Sequence, residues 1–243
     1  MRGVDEIDLV HENAELERSS PEARLAYAVE RYGTKLLFTS SFGAGSGVLL
    51  HLWSRVAGKL PVVFIDTGFL FEETLRYRDE LVEQLGLTLL VVRPKIARAA
   101  FVQTHGEDIQ RTNPDLCCAH NKVDPLAPLK ADAEAWVSGL RRDQSETRAN
   151  VPILLASDGE PLKVHPVATM TARDVETYMR THGVPEHPLK ERGFKSIGCE
   201  PCTRAVRDGE DERAGRWAWS NKTECGLHAR SLPVLARRDR GAA

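Results

Sequence analysis

The stretch "KLLFTSSFGAGSGVLLHLWSRVAGKLPVVFID" (residues 35–66) decides the fold. It opens on a short apolar run, "KLLFTS" (35–40), and closes on another, "LPVVFID" (60–66). Each is too short for a typical helix, and the second is rich in β-branched residues, so both read as buried parallel strands. Between them "GVLLHLWSRVAG" (47–58) is amphipathic at helical spacing and ends in Gly, which commonly closes a helix. The pattern then repeats, with "LFEETLRYRDELVEQLG" (70–86) as a helix and "LTLLVVR" (87–93) as a third strand. This order is that of an open, mostly parallel α/β sheet flanked by helices.

Outward from this unit, helical spacing recurs over 22–32, a fourth strand is expected at 134–140 and a fifth near 162–167. Residues 171–183 read as a helix with Thr171 as N-cap and Asp174 at its third position. Residues 1–205 are expected to form one α/β domain. From 206 to 243 the chain is polar, charged and punctuated by Gly, and is expected to be a flexible C-terminal tail or lid.

The 243 residues, 42% of them hydrophobic, are enough for a sizeable core. Lys plus Arg (33) nearly balances Asp plus Glu (35), and the net charge of -2 argues against a protein coated in basic charge for nucleic acid. A local basic pocket for a small anion is compatible with that balance. The N-terminus lacks the charged-then-apolar layout of a secretory signal. The longest apolar runs fall far short of the ~20 residues a membrane helix needs. A soluble, cytoplasmic protein is expected, in which thiols stay reduced and clustered cysteines point to metal or catalysis rather than disulfides.

The chain has five cysteines: Cys117, Cys118, Cys199, Cys202 and Cys225. Cys117 and Cys118 are adjacent in "LCCAHNK", and with Cα atoms about 3.8 Å apart they do not bridge each other easily. Cys199 and Cys202 form the C-x-x-C of "GCEPCTR". Together the four supply the thiolate set for one 4Fe–4S cluster, with a closed zinc site as the rival. An adjacent pair strains around one metal centre, whereas a cubane offers separate iron corners. Cys225, in "KTECGLHAR", is left over. It is either a loose surface cysteine or a nucleophile whose thiol is activated by Lys222, His228 and Arg230 nearby in sequence.

Three further segments suit anions. "FTSSFGAGSG" (38–47) leaves a strand and enters a helix, with Gly and Ser donors able to curl around a phosphate or sulfate. It lacks the G-K-[ST] of a Walker A loop. "FIDTG" puts Asp66, Thr67 and Gly68 at a strand's carboxyl edge, where ligands of open sheets sit. "GLRRDQSETR" places Arg141, Arg142 and Arg148 after the fourth strand, as a solvated loop or as an anion clamp. "ERAGRWAW" adds Arg213 and Arg216 on one helical face.

Taken in order, "SSFGAGSGVLLH", "FIDTG", "CCAHNKVDPL", "GLRRDQSETRA", "SIGCEPCTR", "RAGRWAW" and "ECGLH" resemble the thioredoxin-dependent adenylyl-sulfate (APS) reductases of the sulfonucleotide reductase family. The resemblance spans roughly residues 39–228. It implies an adenine-nucleotide α-hydrolase-like fold, a 4Fe–4S cluster, and reduction of adenosine 5'-phosphosulfate to sulfite and AMP. It implies that Cys117, Cys118, Cys199 and Cys202 hold the cluster, that Cys225 is the nucleophile and that Lys122 lies between cluster and substrate. Ser40 and Ser41 match the nucleotide loop. Arg148, Arg213 and Arg216 match residues that hold phosphate and sulfate, and His228 joins the substrate-binding set. The electrons are expected from thioredoxin or a similar dithiol protein. The 3'-phosphorylated nucleotide (PAPS) is the alternative substrate, and a nucleotide-binding protein with structural zinc the alternative class. No nucleic-acid or membrane partner is expected.

Overall fold

The computed structural model describes residues 6–227. In chain order the elements are α1 (Glu6–Glu17), α2 (Pro21–Tyr32), β1 (Leu36–Phe38), α3 (Ser46–Val56), β2 (Val62–Ile65), α4 (Glu72–Leu85) and β3 (Leu89–Val92). The second half has α5 (Arg98–His105), α6 (Ile109–Thr112), α7 (Pro114–Cys118), α8 (Asp124–Asp132), β4 (Ala135–Val137), β5 (Leu154–Leu155), β6 (Leu162–Val164) and α9 (Ala172–Thr181). β2 pairs with β3, β1 with β4 and β4 with β6, all parallel. A parallel bridge between Thr39 and Val63 joins the two groups, so the strands run β3-β2-β1-β4-β6-β5. Only β5 is antiparallel to its neighbour. The expected open, mostly parallel sheet flanked by helices is the fold observed.

Period-two alternation decides which side chain meets which layer. Leu36, Phe38, Val62, Phe64 and Val137 share a core with Leu25 of α2, Trp53 of α3, Tyr77 of α4 and Met179 of α9. Leu37, Val63 and Trp136 point to the other face and pack with Leu126 of α8. Strands buried on both faces lose their polar positions, which is why these runs read as continuously apolar. Thr171 and Asp174 form the expected capping box at the start of α9.

The structure adds elements that periodicity does not announce. The polar N-terminal segment forms α1, docked by Asn13, whose amide donates to the Leu154 carbonyl (2.9 Å) and accepts from the Leu154 N–H (2.8 Å). The same contact covers edge strand β5, whose open backbone groups would otherwise be available to another chain. Buried Arg24 closes the end of α1 by donating to the carbonyls of Leu16 (2.7 Å) and Glu17 (2.9 Å), and reaches across to Pro166 (3.0 Å). No helix among the described residues is long and apolar enough to cross a membrane.

One buried histidine ties α4 to the segment leading to the second cysteine pair. His187 Nδ1 accepts from the Leu189 N–H (3.1 Å), which leaves Nε2–H to donate to Thr74 Oγ1 (3.0 Å). That arrangement needs a neutral ring, and burial drives its pKa down to about 4 against a small opposing effect of Glu73. The unfolded chain takes up this proton near about pH 6.5. Stability from this group is therefore full above about pH 6.5 and is lost as the pH falls toward 4, by up to ~3 kcal/mol. A His187→Gln chain is expected to be less stable near neutrality yet to lose less between about pH 7 and about pH 4.5, read from urea midpoints at both values. Equal pH sensitivity in the two chains would contradict this account.

Candidate active site

At β1 the strand order reverses, with β2 on one side and β4 on the other. Chains leaving the carboxyl ends of such neighbours diverge and open a crevice, the usual ligand position in open α/β sheets. A cleft of about 210 Å³ lies there. Its floor is the loop from Thr39 to Ser46 and its opposite wall Ser138, Gly139 and Leu140 after β4. Phe42 holds the loop in shape. It is fully buried, packs edge-on against Phe64 (5.5 Å) and has φ of 49°. A bulky residue in the left-handed region is strained and persists only when its surroundings fix it. Ser40 Oγ accepts from the Phe42 N–H (3.1 Å), leaving its own hydroxyl hydrogen for a ligand. Ser41 is exposed beside it. The N-terminus of α3 has no side-chain cap, and its first N–H, on Ser46 at the cleft, donates to the Gly43 carbonyl (3.0 Å).

The four paired cysteines come together behind this cleft. Asn113 caps α7 by accepting from the Leu116 N–H (3.0 Å), and Pro114 occupies the first helical position. After Cys118 the helix continues as a wider π turn over Ala119–Val123 before α8, a distortion that recurs at functional sites. Cys117, Cys118, Asn121 and Lys122 therefore line one small cavity. Cys199 and Cys202 enter it from a tight turn whose Cys202 N–H donates to the Cys199 carbonyl (3.0 Å). An antiparallel bridge from Leu70 to Cys199 anchors that turn to the chain after β2. Thr67 Oγ1 accepts from the Phe69 N–H (3.2 Å) and lies 3.3 Å from Cys199 Sγ, so its hydrogen is available to the sulfur.

All four cysteines are free and buried. Burial first, then the neighbouring Cys118 and Cys199, pushes the Cys117 thiol up to about 11. Burial first, then Cys199, pushes Cys202 up to about 12. Four soft donors share the cavity with buried polar atoms that lack partners: Gln110 Oε1, Asn121 Oδ1, Arg216 Nε and Trp217 Nε1. Buried polar atoms are rarely left so, and a group carrying sulfide and thiolate acceptors would suit the two N–H donors. Among the described residues no three His, Cys, Asp or Glu side chains are set to hold a single metal ion.

Between cavity and cleft stands Lys122, which lines both. Burial works against its charge, but the sulfurs of Cys199, Cys225 and Cys118 outweigh burial and raise its pKa. Arg216 also lines both, its guanidinium 4.5 Å from the Trp217 ring centroid. Gly198 makes room for it: a Cβ there would sit 2.2 Å from Arg216 Nη2. Residues 206–227 wrap this region as turns without a helix or strand. Glu212 ties them to Arg141 (2.8 Å) and Glu224 ties them to Arg148 (2.7 and 2.6 Å). Arg213 donates to Glu224 (2.9 Å), and its pKa falls to about 10 through burial and neighbouring Arg148, partly offset by Glu224. Cys225 is half-buried on the cleft wall.

Of the expected residues, Ser40, Ser41, Lys122, Arg148, Arg213, Arg216 and Cys225 all line the cleft. His228 lies outside the described residues. Two arginines of the loop read as solvated or as an anion clamp are drawn into ion pairs. Arg141 and Arg142 are ion-paired with Glu212 and Glu17, and of "DTG" it is Thr67 that serves a site, the cysteine cavity. Sequence reasoning passed over Ser138, Gly198 and Glu224. Ser138 is buried on the cleft wall with its hydroxyl unpaired, and its signal was a small polar residue just past a buried strand. Glu224 gave no signal beyond its place before a cysteine.

A crevice that gathers cations and one thiol, backed by four more thiols, defines an α/β protein built for sulfur chemistry on an anionic ligand. The chain belongs to the phosphoadenosine phosphosulfate reductase domain family, whose sequence profile matches residues 35–205. It is 42% identical over 233 residues to the adenosine 5'-phosphosulfate reductase of Chelativorans sp., covering 95% of this chain and 94% of the relative. It is 41% identical over 231 residues to the phosphoadenosine 5'-phosphosulfate reductase of Gloeobacter violaceus, covering 93% and 96%. The crystal structure of phosphoadenylyl-sulfate (PAPS) reductase from Candida auris, a phosphate complex, matches with a TM-score of 0.73 at 25% identity, over 84% of this chain and 98% of that one.

Gly198→Ala tests the role of the close approach. The new methyl must displace the Arg216 guanidinium, so AMP binding measured calorimetrically is expected to weaken about tenfold or more while the fold is retained. Unchanged AMP affinity would remove Arg216 from the cleft's working cations.

Proposed function

We propose that the chain reduces adenosine 5'-phosphosulfate to sulfite and AMP through a cysteine S-sulfonate on Cys225, with thioredoxin or a similar dithiol protein as reductant. The observation that carries this reading is the partition of sulfurs: four buried in one cavity and a fifth on the cleft wall among cations. The family relationship supplies the substrate class. The chain is assigned to the cytoplasm, where these thiols stay reduced.

Cys117, Cys118, Cys199 and Cys202 would hold one 4Fe–4S cluster. Their number, burial and unpartnered polar neighbours suit it, and the adjacent pair Cys117–Cys118 would strain around a single zinc ion. When bound, the cluster supplies a fixed charge distribution beside Lys122.

The nucleotide lies across the loop at Ser40 and Ser41, with its phosphosulfate toward Lys122, Arg213 and Arg216. Sulfate repels a thiolate, so these cations must act first, and a preorganised donor of this kind contributes ~2.7–4 kcal/mol to such a step. The Cys225 thiolate attacks the sulfate sulfur, the bond from sulfur to the bridging oxygen breaks, and AMP leaves with the electron pair. A thiolate of the dithiol protein then attacks Cys225 Sγ. Sulfite departs with the electrons of the S–S bond, and the partner's second thiol resolves the mixed disulfide and restores Cys225.

The cluster cysteines and the relative named adenosine 5'-phosphosulfate reductase favour the unphosphorylated nucleotide, and turnover on the two nucleotides side by side decides between them. Cys225→Ser is expected to keep the brown chromophore and AMP binding while losing sulfite release and the sulfonate mass adduct. Sulfite release by that variant would dismiss Cys225 as nucleophile. Cys118→Ala is expected to lose iron and activity together, and a normal iron content in it would overturn the ligand assignment.

A further inference from the structure

Glu224 is a carboxylate only 7% exposed, set immediately before the half-buried Cys225. Arg148 grips it with two parallel bonds, Nε to Oε1 (2.7 Å) and Nη2 to Oε2 (2.6 Å). Arg213 adds a third to Oε2 (2.9 Å) and holds the preceding turn through the Thr223 carbonyl (3.0 Å). On the other side of the thiol, Lys163 Nζ donates to the Leu227 carbonyl (3.3 Å). Between them Gly226 runs close against the cysteine helix, where a Cβ would lie 3.1 Å from Val123 Cγ2. The thiol is thus bracketed on both sides, and the stronger bracket is ionic.

We propose that Glu224 is a positioning residue, whose pairing with Arg148 and Arg213 docks the Cys225 segment into the cleft and whose release frees the thiol for the dithiol reductant. The proposal rests on the reading of Cys225 as the reacting thiol. Three features favour an ionic latch. Backbone pairing of this segment stops at the antiparallel bridge between Thr203 and Arg216, and residues 218–227, which carry the thiol, contain no helix or strand. Arg148 has three of its N–H groups on Glu224 and Gln144, so most of its donors hold the Cys225 segment. Lys122 and Arg216 remain as cleft cations without a carboxylate partner among the described residues. A neutral side chain at 224 would leave two buried guanidiniums without their counter-charge, and breaking a buried pair from one side is strongly destabilising. The docked state would lose that free energy; the open state, with water around the arginines, would not.

The test uses the full chain purified without air. In Glu224→Gln, with no nucleotide present, alkylation of Cys225 by N-ethylmaleimide, located by peptide mass, is expected to run at least about tenfold faster than in the parent. Its kcat for sulfite release is expected to fall by a similar factor, with KM for the nucleotide within about threefold of the parent. Glu224→Asp, which keeps the charge, is expected to lie between the two in both readouts. An unchanged alkylation rate in Glu224→Gln, or a changed KM with intact kcat, overturns the proposal. If that variant does not fold, Arg148→Lys replaces it, since it keeps the charge and loses the two-pronged grip; faster alkylation supports the latch and an unchanged rate overturns it. Alkylation needs no turnover, so the latch is tested even if Cys225→Ser still releases sulfite and the nucleophile assignment fails.

Discussion

Leu36, Leu37 and Phe38 lie in parallel register with Ala135, Trp136 and Val137, and the rest of the molecule depends on that pairing. It joins the first strand to one that follows almost a hundred residues later in the chain, so everything between must return to the same edge. Because β2 already occupies the other side of β1, the chain leaving β1 and the chain leaving β4 diverge at their carboxyl ends. The crevice is thus a consequence of strand order. The cysteine helices belong to the long excursion between β3 and β4, and the return to β4 brings Lys122 to the crevice and Cys117 and Cys118 to the cavity behind it. The approach of the second pair is set separately, by Leu70 bridging to Cys199.

A site that handles a polyanion has to gather cations out of water, and the gathered cations repel one another. Three kinds of neighbour make this tolerable. Carboxylates neutralise part of the charge: Glu212 beside Arg141, and Glu224 beside Arg148 and Arg213. The Trp217 ring lies beside Arg216, and the sulfurs offset the burial of Lys122. Trp217, which lines the cleft, also has φ of 48° and is buried, like Phe42 in the loop that floors it. Both are aromatics whose burial holds an awkward backbone in place.

The sequence disclosed whatever rests on local periodicity or on rare residue types. Buried parallel strands are continuously apolar, and the Gly that ends a helix has a conformational reason, so β1, α3, β2, α4 and β3 were legible one after another. Cysteine scarcity made the four-thiol set legible without any knowledge of the path between Cys118 and Cys199. The edge strand was not, because Leu154–Leu155 is two residues long and is a strand only through its pairing with β6. Helix α1 was not, because its polar residues carry a weak pattern and its docking depends on Asn13 and Arg24 meeting distant carbonyls. The arginines show the limit most sharply. Arg141, Arg142 and Arg148 share one short loop, and nothing local says that their partners are Glu212, Glu17 and Glu224.

The allocation of those partners bears on how one thiol meets two reactants. A thiol fixed rigidly in the cleft would face a nucleotide well and a second protein badly; a thiol on a free tail would do the reverse. A purely apolar dock would resist opening in proportion to the area it buries. A backbone-paired dock would have to break several hydrogen bonds together. A buried carboxylate between two guanidiniums behaves differently. Its stability depends on water being kept out, and once water enters, solvation of all three groups offsets most of what their attraction supplied. Such a contact holds firmly while the cleft is closed and weakens as soon as it begins to open, which suits a segment that must be in one of two places and not between them.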